Sequence, residues 1–263
     1  NNELPFIFGK SSINHTWSTI SLNRSFVNPI IIISDPSYNG SDPVSTRLQN
    51  ITSNSFEVRL QEPNYKDGAH VFEEIYYIVG EEGSWALNNN FNIQFGKNDT
   101  NKLSTQGFDT ITTNDFIDIP NVLTQIQTFN ETDWVITRTK NITNNSFQLT
   151  MQEEESLNSN GHTIETIGWV VLTNGTFNYG NIILESTTVN NVNHNFKNIN
   201  FNNTFNSKPN LLTKLTSYNG GDPANTRVNN LNNTSFNIQI DEEQSKDIEI
   251  NHIPETIGYI ALL

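Results

Sequence analysis

Cysteine is absent from the 263-residue sequence and methionine occurs once. No disulfide can staple the chain, and neither thiolate catalysis nor a cysteine-ligated zinc is possible. Positive charge is scarce as well: 14 Lys and Arg stand against 28 Asp and Glu, a formal net charge of −14. Nucleic-acid binding needs clustered cations to neutralise phosphate, and so does docking on an anionic membrane surface. The charge balance argues against both. The aliphatic run Ile30-Ile31-Ile32-Ile33 is far shorter than a bilayer span, so no membrane insertion is expected. The sequence begins at Asn1 rather than Met, which suits a processed, secreted protein.

Asparagine is abundant, mixed with Ser and Thr, and favours turns and polar strand surfaces over helix, because its amide competes for backbone hydrogen bonds. The chain also repeats itself. Ser37–Arg47, Thr128–Arg138 and Ser217–Arg227 align without gaps, and each begins eight residues after a proline (Pro29, Pro120, Pro209). A phenylalanine stands nine residues beyond each arginine (Phe56, Phe147, Phe236), and a glutamate six further on (Glu62, Glu153, Glu242). A loop of variable length then leads to His-x-x-Glu: His70/Glu73, His162/Glu165 and His252/Glu255. The aromatics Trp17, Phe108 and Phe196 precede the prolines at nearly constant distance. The spacing divides the chain into copies of about 90 residues, 1–87, 88–175 and 176–263. The connectors Gly80–Asn90 and Leu172–Asn181 are too short to act as free tethers, so neighbouring copies should touch, with Trp85 and Phe177 placed to anchor them.

Each copy has the pattern of strands. Phe56, Val58 and Leu60 alternate with polar residues, as do Phe147, Leu149 and Met151, and Phe236, Ile238 and Ile240. Ile30–Ile33 suits a strand buried on both faces, and no stretch shows a 3.6-residue period. The expected fold is all-β: three tandem antiparallel six-stranded β-sandwiches.

Counting strand parity places Glu62, Glu73 and Arg47 on the core side at strand ends, with Arg47 in phase with Ile51. The same holds for Glu153, Glu165 and Arg138, and for Glu242, Glu255 and Arg227. One reading is an arginine–carboxylate network that closes one end of each sandwich, since buried charge persists only when paired. The other is a shallow sugar-binding rim, where such groups meet hydroxyls beside an aromatic face. A threefold repeat of the same carboxylate pair looks structural rather than glycosidic, and no catalytic residue is assigned. No cofactor or metal is assigned either: one repeated histidine per copy does not make a ligand set, and Asp42, Asp133 and Asp222 fit plain turn chemistry. Twelve Asn-x-Ser/Thr sequons occur, at Asn14, Asn23, Asn39, Asn50, Asn98, Asn130, Asn141, Asn144, Asn174, Asn202, Asn232 and Asn233. About eight would arise by chance from the composition, so N-glycosylation at these positions is only a possibility of the sequence.

The stretch from Pro29 to Ile33, the turn to Arg47, the strand Ser55–Glu62 and the loop Asn64–His70 resemble an H-type lectin domain, the family of the snail agglutinins and the discoidin C-terminal domain. Copies two and three keep the phenylalanine strand, the glutamate, the His-x-x-Glu and the closing strand. The resemblance implies a six-stranded sandwich that associates in threes, with galactose- or N-acetylgalactosamine-type glycans bound near the subunit interfaces. Three copies in one chain would either rebuild that trimer internally or run as beads in a rod. The family's sugar-contacting Trp-His pair is replaced by Pro63-Asn64 and Glu154-Glu155, its sugar-binding arginine falls at Pro43, and its cysteines are missing. The best sugar rim is in copy one, where Asp42, Tyr65, Asp67 and His70 flank Arg47. The expected function is a secreted, non-catalytic glycan-binding or adhesion protein. The rival is a building block of an extracellular filament, sheath or surface layer, with self-association into trimers or filaments.

Overall fold

In a computed structural model the chain is described over residues 3–158 and 161–263. Asn1, Asn2, Ser159 and Asn160 lie outside the described residues, and with them part of the copy-two loop Glu153–Gly161. Copy one contributes β1 (Phe6–Ile13), β2 (Ser18–Ser21), β3 (Pro29–Ile33), β4 (Ser45–Gln49), β5 (Ser55–Gln61) and β6 (Glu73–Glu81). Copy two contributes β7 (Gly83–Asn88), β8 (Phe91–Thr100), β9 (Asp109–Thr112), β10 (Asn121–Ile126), β11 (Val135–Lys140), β12 (Ser146–Glu153) and β13 (Glu165–Leu172). Copy three contributes β14 (Gly175–Tyr179), β15 (Ile182–Val192), β16 (Lys197–Asn200), β17 (Asn210–Leu215), β18 (Ala224–Asn229), β19 (Ser235–Glu242) and β20 (Glu255–Leu262).

All pairing between these strands is antiparallel. In copy one the sheet β1-β6-β3 faces β2-β5-β4 across Phe56, Val58, Ile31 and Ile33. In copy two β10-β13-β8-β7 faces β11-β12-β9, and in copy three β14-β15-β20-β17 faces β16-β19-β18. Six strands thus recur in each copy. The connectors differ from the expected loops: β7 and β14 are extra edge strands, hairpinned onto the sheet of the copy that follows. Trp85 packs edge-on against Phe95 in that same sheet, whereas Phe177 lies against Phe91 of the preceding copy.

The inner sheets are buried on both faces, and the two residue sets go to different cores. Ile31 and Ile33 fill the sandwich of copy one, while Ile30 and Ile32 turn outward into a shared core with Leu123, Val170, Leu172, Leu212, Ile260 and Leu262. The closing strands divide in the same way: Ile75 and Val79 face inward, Tyr76 and Ile78 toward the other copies. Period-two alternation with both phases apolar gives a continuous apolar run, which is why these strands show no amphipathic pattern. The three copies close around this shared core. The exposed edge of β3 is capped by a side chain from copy two: Gln127 Oε1 accepts from Ile31 N (3.0 Å) and its Nε2 donates to Ile31 O (2.7 Å). An amide side chain there stands in for the missing neighbouring strand. At Gly258 a Cβ would meet Asn121 Oδ1 at 2.0 Å, so that boundary requires glycine.

Ile32→Ala opens a cavity in a core that no single copy owns, and should cost about 2–5 kcal/mol. Scanning calorimetry should show one cooperative transition shifted as a whole. Separate transitions, with only one displaced, would contradict a shared core.

Candidate functional site

The recurring glutamates, histidines and arginines form three equivalent constellations, one at each boundary between copies. Within copy one, Glu62 Oε1 meets His70 Nδ1 at 2.8 Å, and His70 Nε2 meets Glu73 Oε1 at 3.2 Å. Copy two repeats this with Glu153, His162 and Glu165, and copy three with Glu242, His252 and Glu255. The second glutamate is also received by a turn. Ser37 Oγ and the backbone N–H groups of Asn39 and Gly40 donate to Glu73, and Ser217, Asn219 and Gly220 do the same for Glu255. This explains the Ser/Thr-x-Asn pattern of the aligned segments: the turn is an anion receptor.

The arginine that completes each constellation comes from the preceding copy, closing a cycle. Arg47 of copy one reaches Glu165 (3.3 Å), Arg138 of copy two reaches Glu255 (2.9 Å), and Arg227 of copy three reaches Glu73 (3.0 Å). Each guanidinium also donates to carbonyls of the receiving turn, Asp133 O for Arg47, Asp222 O for Arg138 and Asp42 O for Arg227. Each bonds a residue of its own copy too: Gln61, Gln152 or Asp241. An aromatic ring of the receiving copy covers it, Phe129, Tyr218 and Tyr38 respectively, at 4.5, 4.6 and 4.9 Å. The guanidinium fork is suited to such a site because its planar face stacks while its edge donates.

The parity reading of the arginines is therefore corrected. Val44 and Leu48 point into the sandwich of copy one, so Arg47 between them points outward, into copy two. The misplacement has a backbone cause. Asn50, Asn141 and Asn230 adopt positive φ (50°, 50° and 52°), which breaks the alternation between each arginine and the apolar residue used to set its phase. The network does not close one end of each sandwich; it fastens neighbouring sandwiches together.

Burial lowers Arg47 to about 10 against the pull of Glu165, and lowers Arg138 despite Glu255. Burial alone would raise Glu73, Glu165 and Glu255, but hydrogen bonds from histidine and the turn, together with the arginine charge, outweigh it and hold all three low, Glu255 at about 2. Burial alone would lower His162, yet its hydrogen bonds to Glu153 and Glu165 raise it to about 9. His252 is raised for the same reasons.

The five residues singled out for sugar do not converge. Arg47 and His70 are buried in the boundary constellations of copies one–two and three–one. Asp42 pairs with Lys66 (2.7 Å) and lends its carbonyl to Arg227. Tyr65 is 41% exposed, but its hydroxyl accepts from Gln244 N of copy three. Its pKa is raised to about 12, chiefly by burial. Asp67 is exposed and accepts from Ala69 N within its own loop. The loops that follow β5, β12 and β19 meet instead at an acidic apex: Glu154 accepts from Asn64 N, Glu243 from Glu155 N, and Lys246 bridges to Glu155 at 2.9 Å. Burial first, and the neighbouring carboxylates after it, push Glu154 and Glu243 above the usual carboxylate range.

Of the twelve sequon asparagines none is buried, though several amides are engaged. Asn39 and Asn130 donate to Phe72 O and Ile164 O, and Asn50 and Asn141 to Glu57 and Gln148. The interface aromatics Tyr38, Phe129 and Tyr218 were not singled out in the sequence, although they recur in the aligned segments. They meet the flagged aromatics across the boundaries: Trp17–Phe129, Phe108–Tyr218 and Tyr38–Phe196 lie 5.2–5.5 Å apart.

Beside these contacts lie open grooves. Between copies one and two a groove of about 600 Å³ is lined by Gln49, Asn50, Thr128, Phe129 and Thr166. Between copies three and one, a groove of about 500 Å³ at the corresponding place is lined by Tyr38, Asn39, Glu74, Tyr76, Lys208 and Asn229.

No family model matches the chain, and no solved structure matches it. Among curated proteins it is similar to Halomucin of Haloquadratum walsbyi (strain DSM 16790 / HBSQ001), 28% identical over 255 residues that cover 93% of this chain. The match takes in 3% of the length of Halomucin.

Arg138→Ala leaves Glu255 buried without its cation and should cost about 3–5 kcal/mol by urea denaturation. A loss below ~1 kcal/mol would show that the pair does not hold the boundary. His162 is raised, so its contribution is complete below its ordinary value of 6.5 and fades as pH climbs through about 9. Glu255 is depressed, so its contribution is complete above its ordinary value of 4.5 and fades as pH falls through about 2. His162→Gln should therefore flatten the alkaline limb of a melting-temperature profile and leave the acid limb in place.

Proposed function

We propose that the chain is an extracellular, non-catalytic carbohydrate-binding module, a closed ring of three sandwiches of the H-type lectin kind. The observation that carries this reading is the pair of open grooves at copy boundaries, walled by amides, hydroxyls and an aromatic ring. Neutral polyhydroxylated ligands suit such walls: planar amides pair with adjacent hydroxyls, and ring C–H groups lie on an aromatic face. The resemblance to H-type lectins agrees in kind, since that family binds sugar near interfaces. The name of the relative, Halomucin, suits an extracellular setting. The acidic balance and the lack of cysteine agree with a surface exposed to solvent rather than to nucleic acid or lipid.

A second reading, a building block of an extracellular sheath, filament or surface layer, is favoured by a different observation. Apolar side chains stand exposed in the loops before the closing strands: Phe72 at 60%, Ile164 at 56% and Ile248 at 94%. Such side chains on an outer rim suit contacts with further molecules.

A printed array of mucin-type and N-linked glycans, probed with the purified chain, separates the two. Glycan-selective binding that free sugar competes away is the expected result. A blank array together with ordered assemblies in electron micrographs would replace the lectin reading with the structural one.

A further inference from the structure

We propose that the groove between copies three and one is the sugar site of this ring, taking one neutral pyranose per chain. The inference rests on the carbohydrate reading and deepens it by choosing one boundary and its ligand contacts. The groove holds about 500 Å³, within the roughly 300–1,000 Å³ typical of small-molecule sites.

Three of its wall residues occur at this boundary and not at the others. Where copy one has Glu74 and Tyr76 at the start of β6, copies two and three have Thr166 and Gly168, and Thr256 and Gly258. Where copy three has Lys208, copies one and two have Asn28 and Ile119. These three side chains bond one another. Glu74 Oε2 accepts from the Tyr76 hydroxyl (2.6 Å) and from Lys208 Nζ (2.5 Å), while among the described residues Oε1 has only a 3.7 Å approach from Lys10. One carboxylate oxygen is thus fixed in place and the other is left to accept from a ligand, as a carboxylate with about four acceptor positions can. Burial alone would raise Glu74, but the bonds from Lys208 and Tyr76 hold it low, so it is an anion at neutral pH.

Asn229 lines the same groove and carries a second acceptor in its wall. Its Oδ1 is shielded from solvent and has no hydrogen-bond partner among the described residues. A buried acceptor without a donor carries a free-energy penalty, which a turn of the amide toward a ligand hydroxyl in the groove would relieve. The rings of Tyr38 and Tyr76 also line the groove; Tyr38 is braced edge-on by Phe196 at 5.5 Å and lies over Arg227 at 4.9 Å. Two acceptors beside aromatic surface call for a ligand that donates several hydrogen bonds and carries an apolar face. A neutral pyranose does both, whereas Glu74 disfavours an anionic sugar.

The groove between copies one and two has Gln49, Phe129 and Thr166 at the places of Asn229, Tyr38 and Glu74, and so presents no anionic acceptor there. One strong site per chain follows.

The test begins with the glycan array and continues by titration calorimetry of the full chain with the methyl glycosides of galactose, N-acetylgalactosamine, glucose and mannose. The expected result is binding of at least one of them at a stoichiometry of one, weakened at least tenfold by Glu74→Gln and likewise by Asn229→Ala. Matching circular dichroism and melting curves would show that both variants fold. Glycan binding that neither variant alters, or a stoichiometry of three, would overturn this site and leave the carbohydrate reading standing. A blank array with no heat from any glycoside would overturn both.

Discussion

Everything in this ring depends on a guanidinium sunk into the anion receptor of the next copy. Arg47, Arg138 and Arg227 are all fully buried, and an ion taken from water loses several kcal/mol of hydration that only close partners can return. Each copy carries half of the answer on either side: an arginine projecting from β4, β11 or β18, and a glutamate held by a histidine and a turn. A copy standing alone would leave both halves unpaired. A linear rod of three would strand one arginine at one end and one glutamate at the other. The ring has no such ends, because Arg227 of the last copy returns to Glu73 of the first.

Much of the fold was legible in the sequence. The repeat gave the copies, period-two alternation gave β5, β12 and β19, and Ile30–Ile33 announced a strand with two buried faces. The use of the second face was hidden, because apolar residues do not say whether they meet their own sandwich or a neighbour. Asn50, Asn141 and Asn230 misled the parity count for a physical reason: a left-handed residue in the turn resets which way the strand faces. Connectors of β7 and β14 looked like loops because Gly, Ser and Asn dominate them, yet they gain edge-strand hydrogen bonds from β8 and β15. The polar constellation was legible as a set of residues but not as a geometry. His70, Glu62 and Glu73 do meet, while Arg47, which precedes them in the same copy, belongs to another boundary.

The expected sugar rim dissolved for a related reason. Residues that recur in every copy are spent on joining the copies, so Arg47 and His70 are sealed away. The loops that vary carry the differences between copies, and around the apex those differences are mostly acidic. Burial first, and repulsion between neighbouring carboxylates after it, raises Glu154 and Glu243. An apex of that kind resists approach by anions and offers few free donors. The proposed sugar recognition is accordingly placed at the boundaries, where amides and rings line open grooves.

The three boundaries are not equal, and their inequality follows the path of the chain. Copies one and two, and copies two and three, are joined by short connectors that keep them side by side. Copies three and one are joined only by contacts between residues far apart in sequence, for which the cost of closure grows slowly with loop length but is not zero. This boundary carries additional ion pairs. Asp241 stands where Gln61 and Gln152 serve the other arginines, giving Arg227 a second carboxylate. Lys214 of copy three reaches Asp35 of copy one at 2.6 Å, and Asp35 in turn accepts from Thr226 N and Oγ1. Tyr38 N donates to Val228 O at 3.0 Å, tying the two backbones directly. Extra ion pairs in a buried seam fix register more than they add stability, since a misregistered seam would leave each of them unpaired. The boundary with the greatest need for register is thus also the one with the additional ion pairs, and the groove beside it holds Glu74, Tyr76 and Lys208.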